Sequence, residues 1–176
     1  MLEINADTNR LAVDKVKDKQ TVVVDFSGPN IAKQMHVGHL RSTIIGDCIC
    51  RILEFLGHTV IRQNHIGDWG TQFGKLCARY DEKLFEQSDK GEMHDIAMTL
   101  ADTEAIYKEA QQLDDTNEEF AKTARAAVVG LHEGNSIWIE YWKTIVASSE
   151  EHYQELYKKL NVTLTLEDVK GESTYN

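Results

Sequence analysis

The chain has 176 residues, of which 41% are hydrophobic and 27% charged, and a formal net charge of −10. That balance excludes a disordered or collagen-like chain, and the length suits one domain, or one domain with an insertion, that builds its core without disulfide or metal staples. The charge is not spread evenly: residues 81–120 hold 13 acids and three bases, while the remainder holds 16 of each. The remainder is therefore neutral and can face phosphates, and the acidic stretch reads as a solvated helical face.

No apolar run approaches the ~18 residues a membrane span needs, and no basic patch precedes an apolar stretch at the N-terminus, so neither a span nor a signal peptide is expected. Cys48, Cys50 and Cys77 are an odd set, which points away from a disulfide framework and toward a reducing cytoplasm.

Residues 1–20 are polar, with little pattern. Thr21 to Phe26 is a β-branched run that reads as a buried strand, ended by Ser27-Gly28-Pro29-Asn30. From Leu40 the apolar positions 40, 44, 45, 48, 49, 52, 53 and 56 form a helical stripe, with Gly57 as its stop. Thr59-Val60-Ile61 is a second strand, so the three elements predict a βαβ unit with parallel pairing.

Gly67-Asp68-Trp69-Gly70 is a loop, and a helix is expected from Thr71 to about Leu84. Residues 92–160 are helical in pattern, and Trp138, Trp142, Tyr153 and Tyr157 recur near helical spacing in the last helix, as core residues would. Val162 to Leu166 alternates and is expected to be a short strand. The last ten residues lead to no further element, and the chain reads as part of a longer fold.

The residues with chemistry lie between the first strand and its helix, where α/β sheets bind ligands. A helix N-terminus there suits an anion. His36 and His39 can donate hydrogen bonds to phosphate oxygens, Gly38 lets a ligand approach the backbone, and Lys33 adds a mobile cation suited to a polyphosphate. Asn30 offers both a donor and an acceptor to a polar substrate. Two histidines three apart also fit simple helix capping. A zinc site built from His36, His39, Cys48 and Cys50 is disfavoured, because Cys48 and Cys50 point to different faces of a helix, and no structural metal is expected. Gly70 to Lys75 is not a phosphate loop: the glycine spacing is wrong and Leu76 stands where Ser or Thr is needed.

His36-Val37-Gly38-His39 resembles the His-x-Gly-His signature of class I aminoacyl-tRNA synthetases. With Ser27 to Lys33 before it, Leu40 to Thr43 after it, and Gly67 to Gly74 beyond, the chain is similar to the bacterial type of arginyl-tRNA synthetase from about Thr21 to Asn176. The resemblance implies an α/β fold: the first half of a Rossmann-like nucleotide-binding domain, with a short parallel sheet, over residues 1–80. A mostly helical acidic insertion over 81–160 and a return strand and end over 161–176 complete it.

The resemblance further implies activation of arginine by ATP, which travels with Mg²⁺, and transfer of the arginyl group to the 2′-hydroxyl of the terminal adenosine of arginine tRNA. His36 and His39 match the histidines that stabilise the triphosphate in the transition state, and Lys33 matches a lysine that helps hold the ATP phosphates. Gly38 belongs to the same ATP site. Asp25 and Asn30 match positions that contact arginine. In-line attack at the α-phosphate needs positioning and electrostatics rather than a protein nucleophile.

The chain departs from the family in lacking a counterpart of the Lys-Met-Ser-Lys-Ser-like second signature, the guanidinium-binding residues of the second half and the tRNA-binding domains. Gly28 stands where Ser or Ala is common. A non-catalytic nucleotide- or partner-binding module, or an inactive fragment, is the alternative. A small nucleotidyltransferase is disfavoured by the Gly-Asp-Trp-Gly segment and the helical insertion. Self-association through exposed apolar sheet and helix surface is expected, and no membrane partner.

Overall fold

The computed structural model describes residues 7–88 and 99–175. Strand β1 (Thr21–Asp25), helix α1 (Val37–Leu56) and strand β2 (Thr59–Gln63) form the βαβ unit. The two strands pair in parallel, from Thr21 opposite Thr59 to Asp25 opposite Gln63. α1 stops at Gly57, whose φ of 102° closes the last turn with hydrogen bonds to Glu54 and Leu53. Arg10 reinforces this end: its guanidinium lies 4.6 Å from the Phe55 ring centre and donates to the Phe55 carbonyl at 2.7 Å.

The remainder of the chain is helical, as expected: α2 (Thr71–Ser88), α3 (Leu100–Thr116), α4 (Glu118–His132) and α5 (Ser136–Lys159). α2 extends four residues beyond the expected end at Leu84 and runs unbroken through residue 80, where the insertion was expected to begin. The helical reading of residues 92–98 lies outside the described residues. The acidic segment is only partly solvated, because α3 lays carboxylates against the bases of α2. Arg79 pairs with Glu109 at 2.9 Å, Lys83 with Glu109 at 3.0 Å and Lys75 with Asp114 at 2.5 Å.

One expected strand needs correction. The alternating segment 162–166 is not a strand. The Thr163 amide and hydroxyl both donate to the Asp47 carboxylate, so a side chain has taken the backbone donor a ladder would use. Leu166–Asp168 then turns into a 3₁₀ helix. The return pairing comes later, where Val169 forms an isolated parallel bridge with Asn64 and the Lys170 amide donates to the Asn64 carbonyl at 3.0 Å.

The apolar stripe of α1 is not its buried face. The residues turned inward are Thr43, Gly46, Asp47 and Cys50, while Ile45 and Ile52 are each 53% exposed, together with Ile44, Ile49 and the sheet residues Val23 and Ile61. α1 packs on the chain through small and polar residues because Gly46 lets the Phe26 ring sit directly against the helix backbone.

The largest core cluster runs from Phe26 and Ile31 through Phe73 and Leu76 of α2 to Ile145 and Tyr157 of α5. The last helix's aromatic residues therefore do pack inward, with Tyr153 and Tyr157 buried.

Asp47 is a hub of this half. Burial pushes its pKa up, but hydrogen bonds from the Thr163 hydroxyl, Arg51 and the Thr163 amide together outweigh burial and hold the carboxyl below its usual value. A carboxyl lowered in the folded state stabilises the fold above its ordinary pKa, and that contribution disappears as pH falls through the lowered value. Asp47→Asn is expected to cost about 2 kcal/mol at neutral pH and to flatten the acid limb of stability. Urea unfolding at pH 7 and pH 3 checks this, and an equal loss at both pH values would contradict it.

Candidate functional site

The loop from Asp25 to Val37 leaves the C-terminal end of β1 and opens α1. Its first bend is unusual: Ser27 has φ of +77° and Gly28 +57°. A left-handed serine costs about 1 kcal/mol and persists only where its surroundings fix it. Here the Ser27 hydroxyl is bonded to the Tyr157 hydroxyl at 2.7 Å and receives the Thr43 hydroxyl at 2.9 Å. Asn64 joins the network, donating to the Tyr157 hydroxyl at 3.2 Å and accepting from the Gly28 amide at 3.0 Å.

The loop then runs beside the Gly67 segment. Gly67 donates to the Pro29 carbonyl at 3.1 Å, and the Ile31 amide donates to the Gly67 carbonyl at 3.2 Å. A Cβ at Gly67 would meet the Asn30 Oδ1. Gly67 is thus the space into which the Asn30 side chain fits. Asp68, the next residue, is buried and accepts from the Ser173 amide at 2.9 Å and hydroxyl at 2.6 Å, which ties the 171–175 segment beneath the same loop. Trp142 of α5 donates its Nε1–H to the Asp68 carbonyl at 2.7 Å.

His36 and His39 form a reciprocal cap at the start of α1. His36 Nδ1 accepts from the Gly38 amide at 3.0 Å, and His39 Nδ1 accepts from the His36 amide at 3.3 Å. The capping reading and the ligand reading of this motif are therefore compatible. Capping occupies both Nδ1 atoms, so each neutral ring carries its proton on Nε2 and presents an Nε2–H donor. The rings lie 3.9 Å apart at 34°. Burial, and then the neighbouring His36, lower the pKa of His39, which favours its neutral form. A Cβ at Gly38 would lie 2.8 Å from the His36 imidazole Cε1, so a side chain there would displace the His36 ring.

The helical segment reaches this site. The Lys33 ammonium lies 4.8 Å from the centre of the Tyr107 ring, and Gln34 donates to Glu104 at 2.8 Å, both partners belonging to α3. Asp25 and Asn30 are exposed at the end of β1 and just beyond it, on the same mouth of the sheet.

All six expected site residues thus fall on one loop and the first turn of α1. The tertiary structure adds Asn64, Ser149, Tyr153 and Tyr157, which hydrogen-bond the loop from outside it. Tyr153 and Tyr157 carried the signal of core aromatics, and nothing in their spacing marked their hydroxyls. Cys48 is exposed and Cys50 buried, on different faces of α1 as expected.

Residues 3–176 match the family model for the catalytic domain of class I tRNA synthetases (R). The chain belongs to this family. Arginine–tRNA ligase from Cellvibrio japonicus is 53% identical over 167 residues, covering 95% of this chain and 28% of that protein. The Cronobacter sakazakii ligase is 51% identical over 175 residues, covering 99% and 29%. The fold is similar to the crystal structure of arginyl-tRNA synthetase from Plasmodium falciparum, with a TM-score of 0.68 and 39% identity over 88% of this chain and 24% of that one. The chain therefore spans less than a third of the length of these class I synthetase relatives. The α/β reading, with a short parallel sheet and mostly helical content, agrees with the family's catalytic domain. Among the described residues no helix is long and apolar enough to cross a membrane.

Proposed function

We propose that this chain forms the part of an arginine–tRNA ligase that grips arginine and the ATP triphosphate for arginyl-adenylate formation. The observation that carries the reading is the reciprocal His36–His39 cap, which occupies both Nδ1 atoms and leaves two Nε2–H donors at the positive end of α1, directly after the segment carrying Asp25, Asn30 and Lys33. The arginine carboxylate attacks the α-phosphorus of ATP, pyrophosphate leaves, and the arginyl group passes to the 2′-hydroxyl of the terminal adenosine of arginine tRNA.

In this scheme Asp25 and Asn30 hold arginine, with Asn30 near the α-amino group. Lys33, His36 and His39 hold the phosphates, and the Gly38 backbone lets them approach. Lys33 rests on Tyr107, a contact worth about 1 kcal/mol, small enough to be exchanged for a phosphate. Donors fixed by the helix cap need no rearrangement as charge develops on the leaving phosphate. Mg²⁺ enters with ATP, as a counter-charge to its phosphates. Among the described residues no group of three or more His, Cys, Asp or Glu side chains converges.

The setting we infer is the cytoplasm. Burial pushes the Cys77 thiol up to about 12, so it stays protonated and inert. The apolar face of α1 with Val23 and Ile61 supports self-association of the isolated chain. The chain is expected to sediment as dimers or larger species at micromolar concentration, and Ile45→Lys with Ile49→Lys to return it to monomer. A wild-type monomer at high concentration would contradict this.

Arginine-dependent ATP–pyrophosphate exchange, with and without arginine tRNA, tests the function. Exchange that requires arginine supports the proposal. ATP binding without turnover in the folded chain would favour a nucleotide-binding module instead.

A further inference from the structure

Behind the loop, α5 contributes two side chains one turn apart that seize the backbone of residues 30–33. The Tyr153 hydroxyl lies 2.6 Å from the Asn30 carbonyl and 2.8 Å from the Lys33 carbonyl. Ser149 Oγ accepts the amide of Ala32 at 3.2 Å. Between these anchors Ala32 is fully buried with φ of +63°, a conformation an alanine adopts only under constraint. Tyr153 itself is only 2% exposed, and burial raises its pKa, so the hydroxyl remains a donor at physiological pH.

One hydroxyl thus fixes both ends of a four-residue turn. The side chain at one end, Asn30, is assigned to arginine, and that at the other, Lys33, to ATP. The spacing between the two ligands' contacts is set from outside the βαβ unit, by a helix more than a hundred residues further along the chain.

We propose that Tyr153, seconded by Ser149, is a positioning residue that holds Asn30 and Lys33 in one rigid turn and so couples the arginine and ATP subsites. This rests on the ligand assignments of the proposed function. Tyr153→Phe is the sharp test, because it keeps the buried ring and deletes one donor, leaving two carbonyls without it. Hydrogen exchange read residue by residue is expected to quicken about tenfold at Ile31 and Ala32, with β1 amides unchanged as an internal control of the fold. Calorimetric titration of the same chain with arginine and with ATP is expected to show both affinities weakened together, by about fivefold each. A variant that was merely less well folded would lower the binding stoichiometry and leave both dissociation constants in place.

Ser149→Ala is expected to give the same pattern more weakly, and Lys159→Gln, at the exposed end of α5, to leave it unchanged. Unaltered exchange at Ile31 and Ala32 would overturn the proposal, as would a loosened turn with both affinities unchanged or with only one of them weakened. Wild-type chain that binds neither ligand would overturn the ligand assignments instead, and the exchange rates would still decide whether Tyr153 holds the turn.

Discussion

His39→Ala is expected to lower arginine-dependent ATP–pyrophosphate exchange by about 100-fold or more while leaving arginine affinity within about twofold. The asymmetry follows from where the imidazole sits. His39 lies at the opening turn of α1 with its Nδ1 committed to the His36 amide, and in the proposed scheme its Nε2–H serves the phosphates. A donor fixed in this way is worth most when charge accumulates on the departing pyrophosphate, so its removal is felt in the rate more than in binding.

The substitution also removes half of the helix cap, which costs about 1 kcal/mol of stability and is separable by thermal unfolding. His39→Gln restores an acceptor for the His36 amide and is expected to recover part of the stability but little of the rate. The lowered pKa of His39, set by burial and then by His36, implies that lowering the pH through it protonates Nδ1, breaks the bond to the His36 amide and slows exchange along the acid limb. Where exchange by the isolated chain is too slow to measure, the chain can replace its 167-residue counterpart in the Cellvibrio japonicus ligase. Equal losses in arginine binding and rate would remove His39 from the transition-state role.

Gly46→Val is expected to be the most damaging single change to the fold, at about 3 kcal/mol, or on the order of 10 °C in melting temperature. Any Cβ at this position would overlap the Phe26 ring, which is buried against the helix backbone. Replacing glycine inside a helix ordinarily stabilises it by up to about 1 kcal/mol, so the sign of the effect depends on whether Phe26 can move. It is hemmed in by the core cluster that runs to α2 and α5, and its amide is bonded to the Gln63 carbonyl at 3.0 Å. Displacing it would shift Asp25 and Ser27 on either side, so the residual folded protein is expected to bind arginine more weakly as well. A melting temperature unchanged by Gly46→Val would mean that α1 does not rest on Phe26 as described.

Much of the architecture was legible because it is written in short-range patterns. The β-branched run at 21–26, the glycine stop at 57 and the helix between them follow from propensity and capping within a few residues of each feature. The clustering of Asp25, Asn30, Lys33, Gly38, His36 and His39 was legible for the same reason: a strand-to-helix connection keeps them together whatever the rest of the chain does. The strand expected at 162–166 failed because alternation records which side chains face inward, as Leu164 does, but not whether the backbone donors are free. Asp47, 116 residues away in sequence, had already taken that of Thr163.

The outward apolar stripe of α1 shows the opposite side of the same limit. Periodicity found an amphipathic helix but could not tell that the chain would bury its small and polar face, because that choice rests on one glycine fitting one distant ring. The sequence by itself determined the βαβ unit, the cap that orients both histidines and the membership in the synthetase family, all of which depend on residues a few positions apart. Only the tertiary structure decided that Tyr153 and Tyr157 bond the 25–37 loop through their hydroxyls while their rings pack in the core. Their hydroxyls meet Asn30 and Ser27 across 123 and 130 residues. A contact of that span is fixed by how helices pack, not by any spacing along the chain.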